Sequence, residues 1–158
     1  MQGGLFSYGL LCALAIGLLI AAFTDLRRRK IDNWLNAAIA LGAPLYWWAS
    51  GMTLHDIGIQ LAVALAAFIV LAGLFAIRAM GGGDVKLLTA LALWIQPMWF
   101  LELIFVMAVA GGVITIIFGA WHVARRNRDR IAIPYGLAIA FAGLWVLAGH
   151  YLPAAQTA

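Results

Sequence analysis

The sequence predicts an all-α membrane protein with about six transmembrane helices. Of the 158 residues, 66% are hydrophobic and only 10% are charged, and the mean hydropathy is +1.01. Soluble domains carry about 25% charged residues, which they need to cover their surface. These values argue against a soluble enzyme, a nucleic-acid-binding protein and a disordered segment. At this length, we expect a single membrane-embedded domain over residues 1–158 with no soluble domain.

Six apolar stretches follow one another along the chain, and polar or glycine-rich segments separate them. A helix needs about 20 apolar residues to cross the hydrocarbon core of a bilayer. The fourth stretch is short, because only about a dozen residues separate Asp84 from Gln96. It is expected either to form a short helix enclosed by protein or to continue past Pro97 toward Phe100. The predicted spans are 5–24, 34–50, 57–77, 84–95, 101–123 and 133–152.

Polar and aromatic residues mark the ends of these stretches. Asp32 is a candidate N-cap for the second helix, since a short side-chain acceptor at that position binds a free backbone N–H group. Trp47 and Trp48, near the other end of the same helix, are typical of an interfacial aromatic belt. Asp56 and Glu102 lie at helix ends on the opposite side from the basic loops, where cap or interface roles are expected.

The basic residues show a strong sidedness. All ten fall in or beside the loops after the first, third and fifth spans, with four, two and four residues respectively. Because cytoplasmic loops of membrane proteins carry an excess of Lys and Arg, this distribution predicts that these loops are cytoplasmic and that both termini lie outside. Such a surface also favours contact with anionic lipids. The residues are Arg27, Arg28, Arg29, Lys30, Arg78, Lys86, Arg125, Arg126, Arg128 and Arg130.

Asp25 and Asp84 differ from the other acidic residues, because each borders an apolar span at its predicted cytoplasmic end. A carboxylate near the membrane costs free energy, and the topology requires neither of them. Two carboxylates that approach within a few ångströms hold one proton between them more readily than two charges. The ionised group can then take a proton from water while the protonated one polarises a peptide carbonyl, as in an aspartic protease. This chemistry requires no metal and no cofactor.

Gly81, Gly82 and Gly83 directly precede Asp84. Because glycine has no Cβ atom, these residues allow a sharp turn and a close approach of an extended substrate to the carboxylate, as an active-site loop would require. A flexible loop between helices is the simpler interpretation. A phosphate-binding loop is not expected, since the Gly-x-x-x-x-Gly-Lys spacing is absent.

Three motifs occur in the order and spacing of a known family. The first is Asp25 with Ile31 and Asn33, six and eight residues later, and the second is Gly81-x-Gly83-Asp84-x-Lys86. The third is Ile133-Pro134-Tyr135-Gly136, followed by Ala138-Ile139-Ala140. Over nearly the whole chain, the sequence resembles the type IV prepilin peptidases, which are intramembrane aspartic proteases of the GxGD type.

The resemblance implies that Asp25 and Asp84 are catalytic. It also implies cleavage of the leader of prepilin-like precursors at the cytoplasmic face of the bacterial inner membrane. With Cys12 as its single cysteine, the chain is expected to lack the zinc-binding domain that larger members associate with N-methylation. It is therefore most similar to the peptidase-only members that serve tight-adherence (Flp) pili. Pilins of the family carry an acidic residue shortly after the cleavage point, which makes Lys86 and Arg78 candidate substrate-binding residues.

Other functions remain open at this stage. The aspartates of a small proton- or cation-coupled transporter subunit would relay protons or bind a cation, at a site nearer the middle of the bilayer. In a non-catalytic membrane assembly protein, Asp25 and Asp84 need not meet. An intramembrane aspartic protease for ordinary signal peptides is a further alternative, although the residues around Asp25 resemble the prepilin type more closely.

Overall fold

The computed structural model describes residues 3–124 and 135–151, and these residues form helices and no strand. This confirms the all-α prediction for the described part of the chain. The basic cluster at 125–130 and the first two residues of the third motif lie outside the described residues. The helices are α1 (Gly3–Arg28), α2 (Asn33–Ala49), α3 (Leu54–Ala76), α4 (Gly82–Ala92), α5 (Pro97–Ala124) and α6 (Tyr135–Val146), which continues as a π-helical segment, Leu147–Tyr151.

Three of the described helices are long and apolar enough to cross a membrane. The spans are Gly4–Arg28 in α1, Leu54–Ala76 in α3 and Pro97–Ile117 in α5. The α2 helix and the apolar segment Tyr135–Tyr151 have 17 residues each and are shorter. The protein is therefore embedded in a membrane, with long spanning helices and shorter apolar helices between and beside them.

The α4 helix is short and enclosed by other helices. Its 11 residues extend only about 16 Å, which is far less than the hydrocarbon thickness. The helix ends at Ala92, and α5 begins at Pro97, so the first of the two predicted alternatives is correct. It packs against α2, α3, α5 and α6. Its buried residues are Val85, Leu87, Leu88, Ala90, Leu91 and Ala92.

A helix that ends inside the protein leaves backbone carbonyl groups without intrahelical partners, and water is not there to bind them. Gln60 of α3 solves part of this problem. Its buried side-chain amide Nε2 donates to the carbonyl oxygens of Ala92, at 2.7 Å, and Ile95, at 2.6 Å. A polar residue in the apolar face of α3 therefore stabilises the end of α4.

Trp47 supplies a further donor at the same place. Its indole N–H donates to the carbonyl oxygen of Leu93 at 2.8 Å, and only 9% of the residue is exposed. The prediction of an interfacial belt is therefore wrong for Trp47, because its polar edge is needed inside the protein. Trp48 is 78% exposed. The aromatic residues of α2 thus divide between the core and the outer surface.

The acidic residues predicted at helix ends adopt different arrangements. Asp56 forms a capping box with Thr53, in which each side chain accepts a backbone N–H of the other residue, and this confirms the expected cap. Asp32 occupies the N-cap position of α2, but its side chain makes no capping hydrogen bond. Glu102 contacts the ring Nε2 of His150 at 2.6 Å, which ties α5 to the π-helical segment.

Replacing Gln60 by leucine tests the role of this side chain. Gln60→Leu keeps a similar volume but leaves the carbonyls of Ala92 and Ile95 without their donor. Each buried unsatisfied group costs about 1–3 kcal/mol, so the free energy of unfolding should fall by roughly that amount or more. Thermal unfolding of the purified protein in detergent measures the effect.

The matched control is Gln96→Leu, the same exchange at an exposed position after α4. This variant should unfold like the wild-type protein. Equal stability of the two variants would show that Gln60 does not stabilise the end of α4.

Candidate active site

Asp25 lies in the last turns of α1 and is only 6% exposed. Its Oδ2 atom accepts a hydrogen bond from the backbone N–H of Gly136 at 2.8 Å. Gly136 belongs to the first described turn of α6, where backbone N–H groups and the helix dipole favour an anion. The carboxylate is thus held where α1 packs against α6, by a residue 111 positions away in sequence.

Asp84 is the third residue of α4, and Gly81 occupies the N-cap position of this helix. The side chain is partly buried. A hypothetical Cβ atom on Gly81 would lie 2.8 Å from the Asp84 Oδ2 atom, which is closer than real Cβ atoms approach. The carboxylate therefore turns back over the backbone that precedes it.

A glycine lies against each of the two carboxylates. On Gly136, a Cβ atom would lie 2.8 Å from the Oδ2 atom of Asp25 and 3.0 Å from its Cβ atom. Gly83 has little free space either, because its Cβ would be 3.3 Å from that of Ile31. Gly82 and Gly83 belong to the first turn of α4, so they are closely packed helical residues. They do not form the flexible loop that was the simpler interpretation of the sequence.

Two neighbouring clefts bring the predicted aspartates together. The larger has a volume of about 700 Å³ and the smaller about 260 Å³. Asp25, Arg29, Gly81 and Asp84 line both clefts. Residues that are 59 positions apart in sequence therefore share one open site. The larger cleft also includes Phe75, Ala76, Arg78, Ala79, Met80 and Tyr135, and the smaller one Lys30, Ile31, Gly82 and Gly83.

Two arginines at this site adopt an unusual backbone conformation. Arg29 has φ of 51° and Arg78 has φ of 61°, and they are the non-glycine residues with positive φ in the described chain. Each follows the end of a helix, α1 for Arg29 and α3 for Arg78. This left-handed conformation costs about 1–2 kcal/mol for a residue with a side chain. Both arginines line the larger cleft together with the two aspartates.

Lys86 lies in a different place from Arg78, although both were predicted to bind substrate. Its Nζ atom donates to the Asn33 Oδ1 atom at 2.8 Å. Lys86 lines a separate groove of about 300 Å³ between α2, α3 and α4. The structure thus places one candidate in the cleft with the aspartates and the other on a second face of α4.

Comparison with known proteins assigns the chain to a family. The model of the type IV leader peptidase family matches residues 12–116, about two thirds of the chain. The chain belongs to this family. No match is found among the curated proteins, and none among the solved structures. The family match confirms the resemblance noted in the sequence and supports a leader-peptidase type of protease in a membrane. The matched range contains Asp25, the three glycines at 81–83 and Asp84.

Two residues beside the aspartates, Gly136 and Asn36, were not assigned a role from the sequence. Gly136 belongs to the third motif, but its hydrogen bond to Asp25 depends on the packing of α6 against α1. Asn36 is a buried amide in α2 whose Nδ2 atom donates to the Gly83 carbonyl oxygen at 3.4 Å. The sequence signal that could have indicated this role is a second amide, three positions after Asn33, in an otherwise apolar helix.

Adding a methyl group at Gly136 should displace the Asp25 carboxylate. Gly136→Ala places a Cβ atom against the Asp25 carboxylate, so the Asp25 side chain must move. No other residue of the site is changed. A shift of about 1 Å in a reacting group lowers enzyme rates by up to about 100-fold. Leader cleavage of a co-expressed prepilin-like precursor measures the loss.

Gly112→Ala is the matched control, because a Cβ at Gly112 of α5 meets no atom within 4 Å. This variant should cleave at the wild-type rate. Wild-type cleavage by Gly136→Ala would contradict the importance of this contact.

Proposed function

We propose that this protein is an aspartic endopeptidase that removes the short leader of prepilin-like precursors. Asp25 and Asp84 are its catalytic pair, and water is the nucleophile. The observation that supports this proposal is that both aspartates line the same two clefts, in a chain that belongs to the type IV leader peptidase family. The clefts are open, so an extended peptide can reach both side chains.

The two carboxylates have different surroundings, which suggests different roles. Asp25 accepts the Gly136 N–H at the beginning of α6, and a hydrogen bond to a carboxylate favours its ionised form. Burial disfavours ionisation of both groups, but the Gly136 N–H offsets this cost for Asp25, and Asp84 shares the clefts with the resulting negative charge, so Asp84 holds the proton of the pair. Asp25 is therefore the general base, and Asp84 is the general acid.

The reaction follows from these roles. The ionised Asp25 takes a proton from a water molecule as the water oxygen forms a bond to the scissile carbonyl carbon. Protonated Asp84 donates its proton to the carbonyl oxygen, which gives a neutral tetrahedral diol. The C–N bond then breaks, the leaving nitrogen receives the proton held by Asp25, and Asp84 takes a proton back from a diol hydroxyl. The pair returns to its starting state, and the products are a carboxyl and an amine.

The basic residues at this end indicate its side of the membrane. Arg29, Lys30 and Arg78 line the clefts that hold the aspartates. By the positive-inside rule, we assign this end to the cytoplasmic face of the bacterial inner membrane, with six membrane-inserted segments and both termini outside. With Cys12 as its single cysteine, this sequence resembles the peptidase-only members of the family, and we include tight-adherence pilins in the proposed substrate class.

The position of the aspartates favours a peptidase over a transporter. Asp25 lies three residues before the end of α1, and Asp84 lies in the first turn of α4. Both are thus at helix ends beside basic residues, whereas a coupled transporter would hold them nearer the middle of the bilayer. A membrane assembly protein would not require the two carboxylates to share a cleft.

Amide substitutions test the catalytic pair. Asp25→Asn and Asp84→Asn keep the size of each side chain but remove its ability to exchange a proton. Each should lower leader cleavage by about 1000-fold or more, and the double variant should be little worse than either, because the pair acts as a unit. Immunoblotting of a co-expressed precursor separates the uncleaved and cleaved forms.

Asp32→Asn is the matched control, since Asp32 lies in the loop after Asp25 and lines neither cleft. It should process the precursor normally. Substantial cleavage by either single variant of the pair, with normal amounts of protein in the membrane, would refute the assignment.

Charge reversal tests recognition of the acidic residue after the cleavage point. Lys86→Glu and Arg78→Glu are made separately, because the two side chains lie in different grooves. We expect Lys86→Glu to lower processing about tenfold, the equivalent of one lost ionic contact, and a lysine at the acidic position of the precursor to restore it. Normal processing by Lys86→Glu would show that Lys86 does not bind this acidic residue. The same conclusion would follow if the lysine in the precursor restored processing by Arg78→Glu but not by Lys86→Glu.

A further inference from the structure

A groove separate from the two aspartate clefts lies on another face of α4. The α2 and α3 helices both pack against α4, and the groove opens between them with α4 as its floor. Lys86, Thr89 and Ala90 of α4 and Leu93, the residue directly after it, contribute from this side, and their i, i+3, i+4, i+7 spacing places them on one helix face. The walls are small residues of α2 and the ring of Phe68 of α3.

The groove is polar at one end and apolar along the rest. Asn33, Asn36 and Lys86 form the polar end, next to the beginning of α4. Ala37, Ala40, Phe68, Ala90 and Leu93 line the apolar part. This distribution suits a segment that is hydrophobic along its length and has a carboxylate and free backbone N–H groups at its start.

Asn36 provides an independent sign that a partner is missing. The residue is only 4% exposed, and its Oδ1 atom is buried without a hydrogen-bond partner among the described residues. A buried acceptor without a donor costs free energy, so such atoms are rare. The first turn of any α-helix has N–H groups without intrahelical partners. A helix that begins at this end of the groove would therefore bring free N–H donors close to the Asn36 side chain.

The groove also connects with the aspartate site. Asn36 donates to the carbonyl oxygen of Gly83, and Gly83 lines the smaller of the two clefts that contain Asp25 and Asp84. Gly83 therefore lies between the polar end of the groove and the aspartate clefts, so a chain that continues past Gly83 leads toward the carboxylates. The direction is set by this order, with the hydrophobic segment in the groove and the leader beyond the aspartates.

We propose that the groove between α2, α3 and α4 holds the hydrophobic helix of the substrate, in the part that directly follows the cleavage point. Lys86 pairs with the acidic side chain near the start of this helix, and its apolar face packs against Ala37, Ala40 and Phe68. The proposal rests on the proposed leader-peptidase function and adds a specific docking surface to it. It explains how a membrane helix is presented to the two carboxylates near the amino end of α4.

A bulky residue on the wall of the groove tests this proposal. Ala37 is exposed, so Ala37→Trp fills the groove without altering the core. With a purified precursor that carries a leader, a glutamate and an apolar helix, KM should rise about tenfold while kcat stays near the wild-type value. Ala66→Trp is the matched control, since Ala66 is an exposed alanine of α3 outside the groove lining, and it should change neither constant.

Cross-linking provides a binding readout that does not depend on cleavage. The native Cys12 is exposed on α1 and is replaced by serine, and Asp84→Asn prevents turnover. A cysteine at Ala37 should then form a disulfide with a cysteine in the substrate helix on addition of a mild oxidant. The retained Cys12, without the cysteine at Ala37, should form none and serves as the control.

The outcomes separate the two proposals. An unchanged KM for Ala37→Trp, a lowered kcat at unchanged KM, or equal cross-linking at Ala37 and Cys12 would overturn the groove while leaving the peptidase intact. Failure of the wild-type protein to cleave any precursor, together with absent cross-linking, would overturn both. Specific cross-linking at Ala37 with no cleavage by the wild type would support the groove and contradict the peptidase.

Discussion

The structure depends on the enclosure of α4, a helix too short to cross the membrane. Because its carboxyl end lies within the protein, the free carbonyl groups there need polar partners that are not water. At the carboxyl end, Gln60 and Trp47 donate to the free carbonyl groups. At the amino end, Asp84 lies in the first turn and lines the clefts that it shares with Asp25. The enclosure that makes α4 stable thus also brings Asp84 to Asp25.

The arrangement explains why glycines cluster at this site. The α1 and α6 helices can bring Asp25 to the Gly136 N–H only if no Cβ separates them, and Gly81 allows the Asp84 carboxyl group to fold back over its own backbone. Gly83 permits close packing of α4 against the loop that holds Ile31. These positions therefore require glycine because a Cβ atom would come too close to neighbouring atoms, and backbone flexibility is a secondary reason.

The sequence predicted those features that depend on local pattern. Hydropathy predicted the helices, and the special position of Asp25 and Asp84 followed from their place at the ends of apolar stretches. The shortness of α4 was one of two alternatives, and the capping role of Asp56 was confirmed. Trp47 was wrongly placed in an aromatic belt, because nothing in its local sequence indicates that a carbonyl 46 positions away needs a donor. The roles of Gln60, Asn36 and Gly136 were missed for the same reason, since each depends on a contact between distant helices.

Sharing of one proton between Asp25 and Asp84 is the central claim, and infrared spectroscopy of the carboxyl groups tests it most directly. The purified wild-type protein near neutral pH should show one carbonyl band from a protonated carboxyl group shielded from solvent. This band should disappear in Asp84→Asn and shift in Asp25→Asn, since the second carboxylate perturbs the first. A spectrum without such a band, or a band that neither substitution alters, would contradict the shared proton and the mechanism built on it.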